Sequence, residues 1–183
     1  MTDSPGPLPD GQKTLAQRCA VIDMLVLDVD GVLTDGRIIY TEQGVELKAF
    51  HVRDGTGLKI WQERGKQAAF LTGRTSHVVE VRAAELGITD VIQGVADKFL
   101  AYQRLLAASQ IAPERVCAVG DDLADIPVLH NCGLAVAVAD ACSDVKGATH
   151  YVTNAPGGRG AVREVIELIL RCQGKWEQLE VKN

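Results

Sequence analysis

The 183-residue sequence has few aromatic side chains, no excess of positive charge and no long hydrophobic run. Aromatic residues make up 4% of the chain and the formal net charge is -5, which argues against a base-stacking, phosphate-binding surface for nucleic acid. No apolar run approaches the roughly 18 residues of a membrane span. The first twelve residues lack the basic, apolar and small-residue order of a secretory signal. These absences favour a cytoplasmic enzyme or binding protein with neither a membrane nor a nucleic-acid partner.

The cysteines are odd in number and include no C-x-x-C pair, which fits neither a disulfide framework nor a zinc site. We therefore expect reduced, mostly buried thiols. Hydrophobic residues make up 46% and charged residues 23% of the chain, which is typical of one globular domain with a substantial core. We predict a flexible amino-terminal tail over residues 1–20, within which Thr14 to Ala20 can form a short helix, one domain over 21–174, and a carboxyl-terminal tail over 175–183.

The sequence around residue 28 predicts a buried strand that ends in two acids. Met24 to Leu27 is continuously apolar, as in a strand buried on both faces of a parallel sheet. Asp28 and Asp30 follow, and they point the same way because side chains alternate along a strand. Ligands of open α/β sheets bind at this carboxyl end. Two acids there favour Mg²⁺, although Asp-Gly is also ordinary turn chemistry.

Short apolar runs alternate with helical segments along the rest of the chain. Strands are predicted at 68–71, 91–92, 116–119, 134–138 and 151–152, and helices at 58–64, 76–86, 98–109, 126–131 and 161–172. This alternation predicts an α/β fold, with a Rossmann-like three-layer parallel sheet between helices. Residues 37–50 predict a β-hairpin insert after the first strand, with no separate cap domain. A hairpin alone leaves unpaired edges, so we expect self-association, the alternative being a hairpin folded on its own subunit.

Polar residues that follow three predicted strands, together with a lysine at the start of a predicted helix, are expected to meet at one edge of the sheet. They are Asp28, Asp30, Thr72, Lys98, Asp121, Asp122 and Asp125. An acidic cluster with one lysine and one hydroxyl suits metal-assisted phosphoryl transfer. We assign Asp28 as a nucleophile that forms an aspartyl phosphate, and Asp30 as the general acid and base. For Asp121, Asp122 and Asp125 the alternative is a helix amino terminus, where the dipole favours acids.

Four motifs in this order resemble those of the haloacid dehalogenase-like phosphatases: residues 28–36, residues 71–74, Lys98 and residues 120–125. More narrowly, the hairpin, residues 50–55 and residues 157–164 are similar to the 3-deoxy-D-manno-octulosonate 8-phosphate phosphatases of lipopolysaccharide synthesis. The resemblance covers about residues 21–174 and implies a Mg²⁺-dependent homotetramer, assembled through its hairpins, that acts on a phosphorylated sugar acid. It also implies a carboxyl-terminal arm that reaches a neighbouring active site. A nonulosonate 9-phosphate phosphatase is a near alternative, and a non-catalytic assembly module that senses Mg²⁺ and phosphate is an alternative of another class.

The resemblance further implies roles for individual residues. Asp28, Asp30 through its backbone carbonyl, and Asp121 would hold the metal, with Asp122 and Asp125 behind them, while Thr72 and Lys98 would hold phosphate. The implied substrate-binding residues are Asp30, His51, Val52, Arg53, Asp54, Gly55, Lys59, Arg74, Arg82, Lys98 and Arg159. Lys59 stands where an arginine is expected, and lysine cannot make the same bidentate contact with a carboxylate. The glycines at 157, 158 and 160 predict a mobile arm that presents Arg159, the alternative being a disordered connection into the last helix.

Overall fold

The computed structural model describes residues 13–176, and a parallel sheet lies at their centre. The strands are β1 (Met24–Leu27), β2 (Ile39–Tyr40), β3 (Glu46–Leu47), β4 (Gln67–Leu71), β5 (Asp90–Ile92), β6 (Val116–Gly120), β7 (Leu134–Ala137) and β8 (Tyr151–Val152). Six of them form the sheet in the order β5-β4-β1-β6-β7-β8, and each neighbouring pair is parallel. Strands β2 and β3 form a separate antiparallel hairpin. The predicted α/β fold with a hairpin insert is confirmed.

Helices flank the sheet and connect its strands. They are α1 (Leu15–Ala20), α2 (Val52–Glu63), α3 (His77–Leu86), α4 (Lys98–Ser109), α5 (Ile126–Leu129), α6 (Ser143–Gly147) and α7 (Ala161–Cys172), with 3-10 turns at Pro113–Arg115 and Leu123–Asp125. The sequence did not predict α6 or the 3-10 turns, because segments this short show no helical periodicity. Within residues 13–176, no helix is long and apolar enough to cross a membrane.

The core lies on the central strands and on one face of α7. Strands β1, β6 and β7 are buried at every position, as expected for strands covered on both faces. The apolar face of α7 packs against α1 and α2. This packing fixes the position of the sheet, and with it the strand ends that carry the polar residues.

Helix α2 begins at Val52, so the predicted start at Leu58 was wrong. Local propensity opposes a helix here, because glycine is about 1 kcal/mol less favourable than alanine in a helix and Gly55 and Gly57 lie within this segment. In the structure a Cβ on Gly57 would lie 3.1 Å from Arg163 Cδ in α7. The glycines therefore let α2 approach its neighbours closely, and tertiary packing outweighs their low helix propensity.

The short helix predicted at the amino-terminal end is present and belongs to the packed domain. Thr14 and Gln17 form a capping box, with each side chain bound to the other residue's backbone N–H. Cys19 is fully buried, and α1 packs against α7. The predicted tail over residues 1–20 was therefore wrong for this helix. Residues 1–12 and 177–183 of the predicted tails lie outside the described part of the chain.

Candidate active site

Three neighbouring strands place polar side chains at one edge of the sheet. Asp28 directly follows β1, Thr72 follows β4 and Asp121 follows β6, and β1 lies between the other two strands. Carboxylate oxygens of Asp28, Asp121 and Asp125 all lie within 4.8 Å of one another. Residues almost a hundred positions apart in sequence therefore form one acidic cluster, because the carboxyl ends of parallel strands share an edge.

Lys98 brings a buried positive charge into this cluster. As the first residue of α4, it lies next to Asp97, whose carboxylate caps the helix by accepting from Leu100 N at 3.0 Å. Its Nζ donates to Asp125 Oδ1 at 2.7 Å and lies 2.9 Å from Asp28 Oδ1. Burial opposes the charged ammonium, but Asp28 and Asp125 more than compensate and raise the pKa of Lys98. Lys98 therefore remains a cation beside the proposed nucleophile.

Asp125 supports the cluster through its second carboxylate oxygen. Its Oδ2 accepts from the backbone N–H groups of Asp121, at 3.1 Å, and Asp122, at 3.3 Å. Both oxygens of Asp125 are thus occupied, one by Lys98 and one by the turn that carries Asp121. Asp122 is exposed, and its Oδ1 accepts from Leu123 N at 2.8 Å. The helix-terminus alternative therefore describes Asp122.

The remaining carboxylate oxygens fit a divalent cation. Asp121 Oδ1 is buried and, within residues 13–176, accepts no hydrogen bond, while Asp28 Oδ1 is also buried and lies 2.9 Å from the Lys98 ammonium. Burial, followed by repulsion from neighbouring acids, raises the pKa of both carboxyls, and Lys98 offsets only part of this rise. Hard cations such as Mg²⁺ prefer carboxylate oxygens. The two oxygens therefore suit a magnesium ion.

The turn after Asp30 closes against this cluster. Gly31 has a φ of 99°, and a Cβ at this position would lie 2.1 Å from Asp121 Oδ2. Only glycine allows both the left-handed conformation and this close approach. The glycine that follows the two acids thus brings the backbone of the turn against the carboxylate of Asp121.

The carboxylate of Asp30 points to different partners from those of Asp28. Its Oδ1 pairs with Lys48 Nζ, and Arg74 Nε lies 3.7 Å from its Oδ2. Glu46 joins both cations, with Oε1 2.9 Å from Arg74 Nη2 and 3.4 Å from Lys48 Nζ. Sequence reasoning missed Glu46 and Lys48. Their spacing of two residues within the predicted hairpin, which would place both side chains on one face of a strand, was the available signal.

Thr72 is 2% exposed, and its hydroxyl accepts from Arg74 N at 3.3 Å. The hydroxyl therefore lies at the turn that leads from β4 towards the cations near Asp30. This position matches the predicted end of a strand, where a hydroxyl is available to an anionic ligand.

Asp54, a predicted substrate-binding residue, is instead part of the packing between two helices. Its carboxylate is 1% exposed and accepts from Arg163 N at 2.7 Å and from Gly160 N at 3.2 Å. Both donors belong to the amino terminus of α7, whose first N–H groups have no partner within the helix. The structure therefore does not support a substrate contact for Asp54. His51 Nδ1 lies 4.0 Å away from its Oδ2.

The other predicted substrate-binding cations line two grooves that do not include the acidic cluster. Lys59 and Arg82 line a groove of about 160 Å³ between α2 and α3, together with Val52 and Gly55. Arg82 Nη1 donates to Glu85 at 2.8 Å, and its guanidinium lies over the Phe50 ring, 5.6 Å from the centroid.

The second groove measures about 530 Å³ and contains three arginines: Arg53, Arg159 and Arg163. Arg53 and Arg159, which lie far apart in sequence, are thus brought together by α2 and the segment before α7. The structure groups both with Arg163, which the sequence did not single out.

The segment before α7 is bound to its own subunit, so the predicted mobile arm was wrong. Gly157 N donates to Asp140 Oδ1 at 2.8 Å, and Gly158 N donates to Val32 O at 2.9 Å. A Cβ on Gly157 would lie 1.6 Å from Gly31 O. These glycines therefore permit close backbone packing against the turn that follows Asp28 and Asp30.

The class of this protein follows from the parallel sheet with acids and a buried lysine at its edge, and from a comparison with known families. A family model described as haloacid dehalogenase-like hydrolase matches residues 66–166. The chain belongs to the haloacid dehalogenase-like hydrolases.

Individual relatives narrow this class. The 3-deoxy-D-manno-octulosonate 8-phosphate phosphatase of Yersinia pestis is 50% identical over 172 residues, which cover 94% of this chain and 90% of the relative. A crystal structure of the Yersinia pestis phosphatase has a TM-score of 0.88 and 51% identity, covering 90% of this chain and 89% of that chain. The same phosphatase from Moraxella catarrhalis, in complex with magnesium, phosphate and a KDO molecule, has a TM-score of 0.87 and 41% identity, covering 88% of this chain and 93% of that chain.

Proposed function

We propose that this chain is a Mg²⁺-dependent phosphatase that converts 3-deoxy-D-manno-octulosonate 8-phosphate to the free sugar acid and phosphate, in lipopolysaccharide precursor synthesis. The observation that carries the proposal is the cluster of Asp28, Asp121 and Lys98 in a chain 50% identical to a phosphatase named for this substrate. That name favours the eight-carbon sugar over the nonulosonate alternative. A nucleophile paired with a buried lysine also argues against a non-catalytic assembly module.

The metal ligands follow from the cluster. Asp28 and Asp121 would hold Mg²⁺ through their buried carboxylate oxygens, and Asp30 would add its backbone carbonyl. A magnesium ion held there would supply positive charge to neutralise the phosphate. A magnesium ion in the Moraxella catarrhalis structure supports this choice of metal.

The protein's own groups carry the two chemical steps. The Asp28 carboxylate attacks phosphorus and forms an aspartyl phosphate while the bond to the sugar oxygen breaks. Lys98, 2.9 Å from Asp28, and the Thr72 hydroxyl stabilise the charge on the phosphate oxygens. Asp30 gives a proton to the departing sugar oxygen. It then takes a proton from the water that releases phosphate from Asp28.

The sugar acid requires cations beyond this centre. Arg74, next to Asp30, is suitably placed to bind the substrate near the reacting phosphate. We assign Lys59, Arg82, Arg53 and Arg159 to the sugar acid as well, and their two grooves would take part when subunits assemble.

The hairpin is the proposed surface for assembly into a homotetramer. Its apolar side chains are 43% to 58% exposed, and clustered exposed apolar side chains are typical of interaction surfaces. They are Ile38, Ile39, Tyr40, Val45 and Leu47. Burial of this surface between subunits would remove both the apolar exposure and the unpaired strand edges. We place the assembled enzyme in the cytoplasm, where its free cysteines would stay reduced.

The test is phosphate release from octulosonate 8-phosphate and nonulosonate 9-phosphate, with and without Mg²⁺. We expect Mg²⁺-dependent hydrolysis with a clear preference for the eight-carbon substrate. Asp28→Asn should abolish turnover, because an amide is not a nucleophile that can accept the phosphoryl group. Asp122→Asn is the matched control, since asparagine also caps a helix, and it should retain activity. Near wild-type activity of Asp28→Asn would refute the covalent mechanism, and equal turnover of both sugars would refute the substrate preference.

A further inference from the structure

Lys48 carries a charged side chain that is 1% exposed, although it lies in the segment that follows the exposed hairpin. Burial of an ammonium group is unfavourable unless acids compensate its charge. Two acids do so here: Nζ is paired with Asp30 Oδ1 and lies 3.4 Å from Glu46 Oε1. The mechanism described above assigns no role to this buried cation.

Glu46 is itself held from the other side by the loop after β4. Its Oε1 accepts from Arg74 Nη2 at 2.9 Å, and its Oε2 accepts from the Ser76 hydroxyl. The hydrogen bond from Ser76, together with Arg74 and Lys48, lowers the pKa of the Glu46 carboxyl. Glu46 is therefore an ionised and fixed partner for Lys48. The hairpin is thus tied to the edge of the sheet beside Asp30.

The two oxygens of Asp30 have different surroundings. Lys48 holds Oδ1, whereas Oδ2 is buried and accepts no hydrogen bond from the described residues, with Arg74 Nε 3.7 Å away. One oxygen is therefore anchored, whereas the other has no hydrogen-bond donor among residues 13–176.

We propose that Lys48 is a positioning residue, which anchors Asp30 Oδ1 so that Oδ2 transfers the proton in both chemical steps. In the first step the proton on Oδ2 moves to the sugar oxygen, as its bond to phosphorus breaks and the bond from Asp28 to phosphorus forms. In the second, a water oxygen bonds to phosphorus, its proton moves to Oδ2, and the bond to Asp28 breaks. This inference rests on the proposed phosphatase function.

Loss of Lys48 leaves Asp30 without its anchor and with Arg74 as the neighbouring cation. The carboxylate would then turn towards Arg74, because two acids would share one positive charge. Proton transfer should suffer, whereas Lys98 and Thr72 would still bind phosphate. The defect is therefore expected in kcat rather than in KM.

The experiment compares Lys48→Met with the wild type on two esters that differ in their need for an acid. On octulosonate 8-phosphate we expect kcat to fall roughly 10- to 100-fold, a part of the 10²–10⁴ that acid–base catalysis supplies, with KM nearly unchanged. With p-nitrophenyl phosphate, whose leaving group departs without a proton, an initial burst of p-nitrophenolate should form at close to the wild-type rate. Steady-state release should then be slow, because attack by water still needs the base. Lys48→Arg should restore part of the activity.

Lys66→Met is the matched control. Lys66 is also a buried lysine, its Nζ lies 2.9 Å from Asp23 Oδ1, and it precedes β4 at the opposite edge of the sheet. We expect this variant to lower stability and to leave both esters' kinetics unchanged in the folded protein. If Lys48→Met folds poorly, Glu46→Gln provides the second variant, with the same pattern and a smaller loss.

The outcomes separate this inference from the proposed function. A wild-type chain that hydrolyses neither ester would refute the phosphatase function. An active wild type in which Lys48→Met, or its substitute Glu46→Gln, slows the burst and the sugar ester equally, or slows neither, would refute only the positioning role. The same leaving-group pattern in Lys66→Met would also refute it.

Discussion

Asp54 joins α2 to the amino terminus of α7, and its removal should loosen this connection. The buried carboxylate accepts from Arg163 N at 2.7 Å and from Gly160 N at 3.2 Å. An acid at this end of a helix also interacts favourably with the helix dipole. The perturbation is the pair of variants Asp54→Ala and Asp54→Asn.

The magnitude follows from the two donors. Asp54→Ala leaves two buried N–H groups without an acceptor, at a cost of about 1–3 kcal/mol each. Part of this loss is offset, because burial raises the pKa of Asp54 in spite of its hydrogen bonds, and the variant no longer buries a charge. We expect the free energy of unfolding to fall by about 2–4 kcal/mol for alanine, and by about half of that for asparagine, which keeps one acceptor oxygen.

Urea denaturation followed by circular dichroism measures this loss, and steady-state kinetics measure KM. Asp144→Ala is the matched control, since Asp144 is an exposed acid in the first turn of α6 and its loss should have little effect. The folded Asp54→Asn variant should keep the wild-type KM. A loss of less than about 1 kcal/mol for Asp54→Ala, together with a raised KM for Asp54→Asn, would refute the packing role and favour the substrate contact implied by the family resemblance.

Three further outcomes follow from the structure. Leu47→Glu, at a hairpin residue that is 50% exposed, should dissociate the proposed homotetramer, and an unchanged mass by light scattering would contradict the hairpin interface. Gly157→Ala places a Cβ 1.6 Å from Gly31 O, so stability should fall by about 1–3 kcal/mol or more, and activity with it. A normal melting temperature would contradict this packing. In the metal-free protein the pKa values of Asp28 and Asp121 are raised, so the folded state binds their protons more tightly than the unfolded state. The resulting stabilisation is complete at a pH below 3.8, the ordinary pKa of the group, and is lost as the pH rises through the folded-state pKa values. The free energy of unfolding should therefore fall with rising pH in metal chelator, less steeply in Asp121→Asn, and an equal slope in both proteins would contradict the cause.

The fold could be read from the sequence where local pattern and tertiary environment agree. Apolar runs such as Met24 to Leu27 predict buried strands, because a strand covered on both faces has no position for a polar side chain. The start of α2 could not be read in this way, since Gly55 and Gly57 oppose helix locally and are compensated only by packing against α3 and α7. The glycines before α7 were likewise misread as flexibility. Their role is close contact with the backbone around Gly31.

The sequence by itself determined the parallel sheet and the polar residues at its edge, because alternating strands and helices leave the strand ends of Asp28, Thr72 and Asp121 on one side. The residue types at these positions, acids with one lysine and one hydroxyl, also indicated metal-assisted phosphoryl transfer. Only the tertiary structure decided which acids share a partner: Asp28 and Asp125 share Lys98, whereas Asp30 pairs with Lys48. The physical reason is that charge compensation acts through space over a few ångströms, and the partners come from helices and hairpins whose approach depends on the packing of the whole domain.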